Sequence, residues 1–332
     1  MNRSTVTSRE LNHAEGWILD LYQKDGRMVI WLKTRNDRSV KLVDDWQQCF
    51  YVGGTHRDLS KLADELHIEG MSFEEKYVKP QDDAPSRVLR IPVWSNREAE
   101  WLAVKILVYG HYRRYELFNV DLKADQLYMY EKGIYPFGYV SSAHTSVSVE
   151  WRVLDRLDSV DYKIPTLREV TLSASVQKNG RLPTKSDPIK EIVAKSQKET
   201  HRIDGSDEHQ CLLQLVEIMK ALDPDVIHTE NGDDFLLPYL AHRAEVNAIS
   251  DEFRLGRDKA PLHVRYGKGQ SYVSYGRVCY RPMPTRLLGR LHIDHQNSML
   301  YSDCGLTGVI EVARMCKIPA QRVTNTTIGT SM

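Results

Sequence analysis

The chain has 332 residues, enough for two separate cores. Its 45 basic residues balance 45 acidic ones, and 41% hydrophobic with 27% charged residues describes an ordinary globular protein. That balance excludes a disordered or collagen-like chain and points to no partner.

The first residues, "MNRSTVTSRELNHAEGW", contain no apolar leader, and no run approaches the roughly eighteen apolar residues of a membrane span. Five scattered cysteines (Cys49, Cys211, Cys279, Cys304, Cys316) never form Cys-x-x-Cys, which argues against a disulfide framework and a zinc knuckle. The expectation is a cytoplasmic protein with reduced thiols and no membrane partner.

"GWILDLYQKDGRMVIWLKT" holds two β-rich runs around a Lys-Asp-Gly-Arg turn, in which Asp25 and Gly26 supply the positive φ of a tight hairpin. "CFYVGG" and "SRVLRIPVW" read as strands, with helices near 57–67 and 96–109, so the first half is mixed α/β. "SSAHTSVSVEW" at 141–151 begins as a small-polar stretch of weak periodicity, and the domain boundary is placed between it and Pro165. Next come a strand, "TLREVTLSASVQ", a polar stretch around "RLPTKSDPIKE", and a helix over roughly 207–221 with Leu212, Leu215, Val216 and Met219 on one stripe. "DPDVIHTENG" is a short buried strand and "DDFLLPYLAHRAEVNA" a second helix, an alternation that predicts a layered α/β domain. "SYVSYGRVCYRP" and "RLLGRLHID" read as strands, and "GLTGVIEVARMCKI" as a helix.

The turn "ENGDDFLLP" admits two readings. Asp233 or Asp234 caps a helix that has Pro238 in its first turn, or the acids hold a hard cation together with carboxylates from elsewhere. The order "LREVTLSASVQ", "DPDVIHTENGDDFLLPYLAHRAE", "GRLHID" and "YSDCGLTGVIEVARMCKIPAQRVTNTTIGTSM" resembles the amino-terminal and proofreading-exonuclease portion of archaeal family B DNA polymerases. The resemblance is weak before residue 160 and strong over 222–240 and 289–332. It implies an amino-terminal domain over 1–160, a ribonuclease H-like domain over 161–302, and a helical segment over 303–332 leading toward a polymerase core.

In that family an Asp-x-Glu on the first strand, an Asp in an Asn-Gly-x-x-Phe-Asp turn and the Asp of Tyr-x-x-x-Asp hold two divalent cations that activate water. Here those positions are Ser173, Ser175, Leu236 and Gly305, none of which offers the anionic oxygen that Mg²⁺ requires. Only six residues separate Asp294 from Tyr301, where the family has several dozen. In both respects the chain is similar to the archaeal group described as inactivated. The resemblance thus implies no catalytic residue and no metal cofactor, with Asp233 and Asp234 left to cap the helix. Mg²⁺ would return only if Glu230, Asp233, Asp294 and Asp303 formed a displaced site. The family's palm and fingers motifs lie downstream of "TIGTSM", so no nucleotidyl transfer is expected from this chain alone. Archaeal amino-terminal domains are associated with recognising deaminated template bases, but no pocket residue carries over.

Between Arg254 and Arg290 stand nine basic residues and one acid, Asp258, interleaved with tyrosines. Arg265, Lys268, Tyr272, Tyr275, Arg277, Arg281 and Arg286 are the candidate nucleic-acid contacts, because cations neutralise phosphates and aromatic rings stack on unpaired bases. The expected partner is DNA, single-stranded or primer-template, alongside a separate polymerase subunit. Two alternatives stay open: a protein-interaction scaffold without DNA affinity, and a metal-dependent exonuclease with relocated ligands.

Overall fold

The computed structural model describes residues 12–326 other than 179, 181, 263, 265–268, 275 and 276, with the backbone alone at 270, 272–274, 277 and 279. β1 (Asn12–Lys24) and β2 (Arg27–Thr34) form the expected hairpin, and its turn holds Asp25 at φ 51° and Gly26 at φ 75°. β3 (Ser39–Asp44) adds to β2. The chain then builds a second sheet from β4 (Cys49–Gly53), β5 (Ser72–Lys76), β6 (Ser86–Pro92) and β7 (Glu116–Phe118) in the order β5-β6-β4-β7. Helices α1 (His56–Leu66) and α2 (Asn96–Tyr109) start where Thr55 and Ser95 accept N–H groups of the first turn, and Leu59, Leu62, Leu102 and Ile106 bury one face of each against Phe50, Leu89 and Ile91.

After α3 (Ala124–Lys132) the chain returns to the first sheet through β8 (Tyr139–His144) and β9 (Val149–Val153), giving the antiparallel order β3-β2-β1-β8-β9. This corrects the reading of 141–151 as a weakly periodic polar stretch. β8 is an inner strand, and Ser142 is fully buried with its hydroxyl donating to the Ala14 carbonyl. Pairing with β1 satisfies a backbone that small side chains alone would leave unmarked in the sequence.

The third sheet comprises β10 (Glu169–Val176), β11 (Ile189–Ser196), β12 (Thr200–Asp204), β13 (Val226–Thr229) and β16 (Leu291–Asp294), in the order β12-β11-β10-β13-β16. The first three run as an antiparallel meander; β13 and β16 join β10 in parallel. β11 begins at the end of the stretch read as polar and β12 lies between that stretch and the next helix, so the expected strand-helix-strand alternation gains two strands. Helix α4 (Glu208–Leu222), a π-helical turn (Gly232–Leu236) and α5 (Leu237–Val246) cover one face, where Val170, Leu172, Leu212, Leu215, Leu236 and Leu240 share a core. The hairpin β14 (Gln270–Ser274) and β15 (Arg277–Arg281) stands apart as a two-stranded sheet. α6 (Met299–Cys316) and α7 (Ala320–Val323) cover the other face through Leu300, Val309, Ile310, Ala313 and Val323, a core that Leu19 and Phe137 of the first half also enter. Among the described residues no helix is long and apolar enough to cross a membrane.

Buried charge ties the first sheet to the third. Lys33 Nζ on β2 lies 2.7 Å from Asp225 Oδ2, and Arg257 Nη2 lies 2.6 Å from Asp225 Oδ1. The Asp225 carboxylate also accepts the Arg168 N–H, so two cations and a backbone donor converge on it. Asp20 on β1 accepts the Gly289 N–H, and Lys24 and Lys41 both reach Asp258 at 2.9 Å. These two lysines hold the Asp258 carboxyl down at about 2 against the opposing effect of burial.

Candidate functional site

The site lies where β10, β13 and β16 meet the start of α6. On β10 the burial alternates: Val170 and Leu172 enter the core beneath α4 and α5, whereas Ser173 and Ser175 are exposed on the opposite side. Leu236, in the π-helical turn, is 4% exposed and packs in the same core as Val170 and Leu172. The structure therefore puts Leu236 on the core side of the sheet and the two serines on the other. Gly305 interrupts α6 with φ 63° and ψ −169°, a conformation that L side chains rarely adopt, although nothing lies within 4 Å of where its Cβ would be. An Asp there would have room but would strain the backbone.

The expectation that Asp233 or Asp234 caps the following helix needs correction. Asp233 is buried, its Oδ1 accepts the Thr285 N–H at 2.7 Å, and its Oδ2 accepts the Asn297 side-chain N–H at 2.7 Å. Burial raises the Asp233 carboxyl while His292 and these donors oppose the rise. The capping role passes to Asp294 at the end of β16, whose Oδ2 accepts the Asp233 backbone N–H at 2.9 Å and whose Oδ1 accepts the Gln296 N–H. A carboxylate from a neighbouring strand thus faces the positive end of the turn. Asp234 is exposed. Of the four acids considered for a displaced cation site, Asp233 and Asp294 are neighbours occupied as above, Glu230 lies 3.5 Å from His295 Nδ1, and Asp303 is exposed. Among the described residues no group of three or more His, Cys, Asp or Glu side chains is arranged to hold a metal.

Sequence reasoning missed a histidine pair on the face of Ser173. His228 Nε2 lies 2.7 Å from Glu169 Oε2, and His228 Nδ1 lies 3.0 Å from His295 Nε2. The Tyr301 ring stacks on His295 with centroids 4.9 Å apart. A carboxylate only accepts, so His228 Nε2 carries the proton and His228 Nδ1 is the acceptor for His295. Burial holds His228 below the ordinary imidazole range. The two histidines are 67 residues apart, and only the parallel pairing of β13 with β16 brings them together.

The basic stretch divides once its side chains are placed. Arg257 and Arg290 are interior groups: Arg257 bonds Asp223, Asp225 and the Gly289 carbonyl, and Arg290 bonds Asp223 and the Met219 carbonyl. Burial pushes the Arg290 guanidinium down to about 10. Arg265, Lys268 and Tyr275 lie outside the described residues. Tyr272 and Arg277 are on paired strands, β14 and β15, with Tyr272 opposite Cys279 and Arg277 opposite Ser274. Arg281, at the end of β15, donates to the Asn325 carbonyl at 3.3 Å and to Met299 Sδ at 3.4 Å. Arg286 is part-exposed with Nη2 at 4.0 Å from Asp20 Oδ1. Arg281 and Arg286 line one cavity of about 540 Å³ with Lys123 and Arg322.

The antiparallel meander continued by two parallel strands, with helices on both faces, places the second half among ribonuclease H-like folds. Residues 182–271 match the sequence profile described as "DNA polymerase family B, exonuclease domain", a span that contains Leu236 and stops short of Ser173, Ser175 and Gly305. The chain is 22% identical to a DNA polymerase of Archaeoglobus fulgidus over 326 residues, covering 91% of this chain and 37% of that protein. It is 27% identical to the DNA polymerase of Pyrococcus horikoshii over 281 residues, 80% of this chain and 21% of the relative. The structure of the family B DNA polymerase from Pyrobaculum calidifontis superposes with a TM-score of 0.67 at 16% identity, over 96% of this chain and 49% of that one. The chain is related to the amino-terminal and exonuclease region of archaeal family B DNA polymerases, and it spans well under two thirds of these relatives.

Proposed function

We propose that the chain is a non-catalytic DNA-binding part, or subunit, of a family B DNA polymerase whose proofreading exonuclease is inactivated, acting in replication or repair. One observation carries this reading. The positions that hold the family's metal-binding carboxylates are Ser173, Ser175, Leu236 and Gly305, and Leu236 is built into the core away from the serines. Hydroxyls, an isobutyl group and a hydrogen cannot assemble a site for hard divalent cations. The basic side chains Arg281 and Arg286 beside an isolated hairpin support retention of strand binding without cleavage.

The test is a fluorescence-anisotropy titration of a labelled single strand and a labelled primer-template at two salt concentrations with Mn²⁺ present, the DNA being run on a gel afterwards. Salt-sensitive binding with intact DNA is the expected result. Shortened DNA would mean that other ligands hold the metal, and absence of binding would make the chain a protein-interaction scaffold.

A further inference from the structure

Helix α2 carries apolar side chains on two faces and packs only one of them. Ala99, Leu102 and Ile106 enter the core with Phe50, Leu89 and Ile91. On the far side Trp101, Val104 and Val108 follow at three- and four-residue spacing, which sets them along one line of the helix, and they stand 62%, 59% and 52% exposed. Trp94 and Tyr112, just beyond the two ends of the helix, are 66% and 69% exposed. At roughly 150–250 Å² of buriable surface for each aromatic side chain, these three rings leave roughly 300–500 Å² of largely apolar surface in water, before the valines are added. An apolar patch of that size is at the upper end of what a soluble monomer carries and is often a contact surface.

We propose that this stripe binds a second copy of the chain, α2 of one copy crossing α2 of the other end for end about a two-fold axis between Val104 and Lys105. Shape favours it. The stripe has a bulky ring at its start and small side chains toward its end, so the reversed copy lays Trp101 over Val108 and Val108 over Trp101, the reciprocal pairing that an isologous contact requires. Area agrees, because two copies of the three rings bring together roughly 600–1,000 Å². A standard interface begins near 1,200 Å², of which a little over half, roughly 700 Å², is apolar. Charge permits it, since 45 basic and 45 acidic residues leave the chain without net repulsion from its own copy. A nucleic-acid strand fits the stripe less well: valines offer no ring face to a base, Lys105 Nζ already stands 5.6 Å from the Trp101 ring centroid, and Glu100 is exposed on the same helix. The inference is independent of the DNA-binding reading above.

The experiment is sedimentation velocity of the whole chain from about 1 to about 100 μM, with circular dichroism as the check on folding. The parent is expected to pass from monomer to dimer across that range. Trp101→Glu and Val108→Lys, each at an exposed position, should keep the parent's dichroism spectrum and weaken the dimer at least about a hundredfold, because the axis makes each substitution count twice and a central contact is worth more than about tenfold. An equimolar mixture of the two variants should dimerise again, since one Trp101–Val108 contact stays intact and the other becomes an ion pair. Val160→Glu, at an exposed valine outside the stripe, should leave the dimer unchanged. A parent chain that is monomeric throughout, a dimer that survives both substitutions, or a dimer lost in Val160→Glu overturns the proposal, and a mixture that stays monomeric overturns the end-for-end crossing. A monomeric parent whose binding to a labelled oligothymidylate is lost in Trp101→Glu would make the stripe a strand surface instead.

Discussion

Replacing Asp225 by Asn is expected to destabilise both halves of the chain at once. Asp225 is fully buried, Lys33 is 1% exposed, and Arg257 is 4% exposed at its side chain. Breaking a buried pair from one side costs about 3–5 kcal/mol, because the partner's charge stays desolvated. The lower end, about 3 kcal/mol, applies here: Arg257 keeps Asp223 and Lys33 keeps Asp37. Lys33→Met should cost less, about 1–2 kcal/mol, since Asp225 retains a guanidinium and the Arg168 N–H. The double variant should then cost less than the sum of the single ones. Urea unfolding gives a direct assay because all six tryptophans (Trp17, Trp31, Trp46, Trp94, Trp101 and Trp151) lie in the first half, whereas circular dichroism follows the whole chain. Asp225 immediately precedes β13 of the third sheet, yet Asp225→Asn should lower the fluorescence midpoint as well as the dichroism midpoint. A fluorescence midpoint that stays put, or a coupling energy below about 0.5 kcal/mol, would refute the claim that this pair joins the two sheets.

Two further outcomes follow from buried groups. Asp20 carries a folded-state carboxyl raised from 3.8 to about 6, so its ionisation opposes folding above pH 6, and that penalty disappears as the pH falls through 4. Asp20→Asn should therefore stabilise the chain at pH 7.5 by up to about 3 kcal/mol, from some two units at 1.36 kcal/mol each, with the gain vanishing near pH 4; a pH-independent difference in urea midpoints would contradict this. Leu236→Asp places a charge in the core of Val170 and Leu172, and should cost about 3–5 kcal/mol in urea unfolding. Combined with Ser173→Asp, Ser175→Glu and Gly305→Asp, it should still give no Mn²⁺-dependent digestion, and a folded, digesting variant would overturn the placement of Leu236.

Local signals in the sequence were reliable wherever the chain's own chemistry decides. The Asp25-Gly26 turn, the helix near 96–109, and the α4 stripe from Leu212 to Met219 all form as the sequence predicts. β11 and β12 escaped because "IKEIVAKS" mixes charge into its alternation and the ladder slips between Ser175 and Val176, which breaks the two-residue rhythm. The site was legible only in part. The resemblance picked out Ser173, Ser175, Leu236 and Gly305, but the side of the sheet that each faces depends on packing. A local count of charge could not show that Arg257 and Arg290 are spent inside the fold, since their acids, Asp223 and Asp225, stand more than thirty residues away. His228 and His295 were hidden for the same reason.

The entry of Leu19 and Phe137 into the core of α6 bears on how the chain can be dissected. A fragment ending near residue 160 would carry these two side chains, together with Lys33, into water with nothing to cover them, and the complementary fragment would expose Val226, Leu291 and the charge on Asp225. Failure of either piece to hold DNA would then report a spoiled surface where its missing half had been, and only substitutions within the intact chain can assign binding to one half or the other.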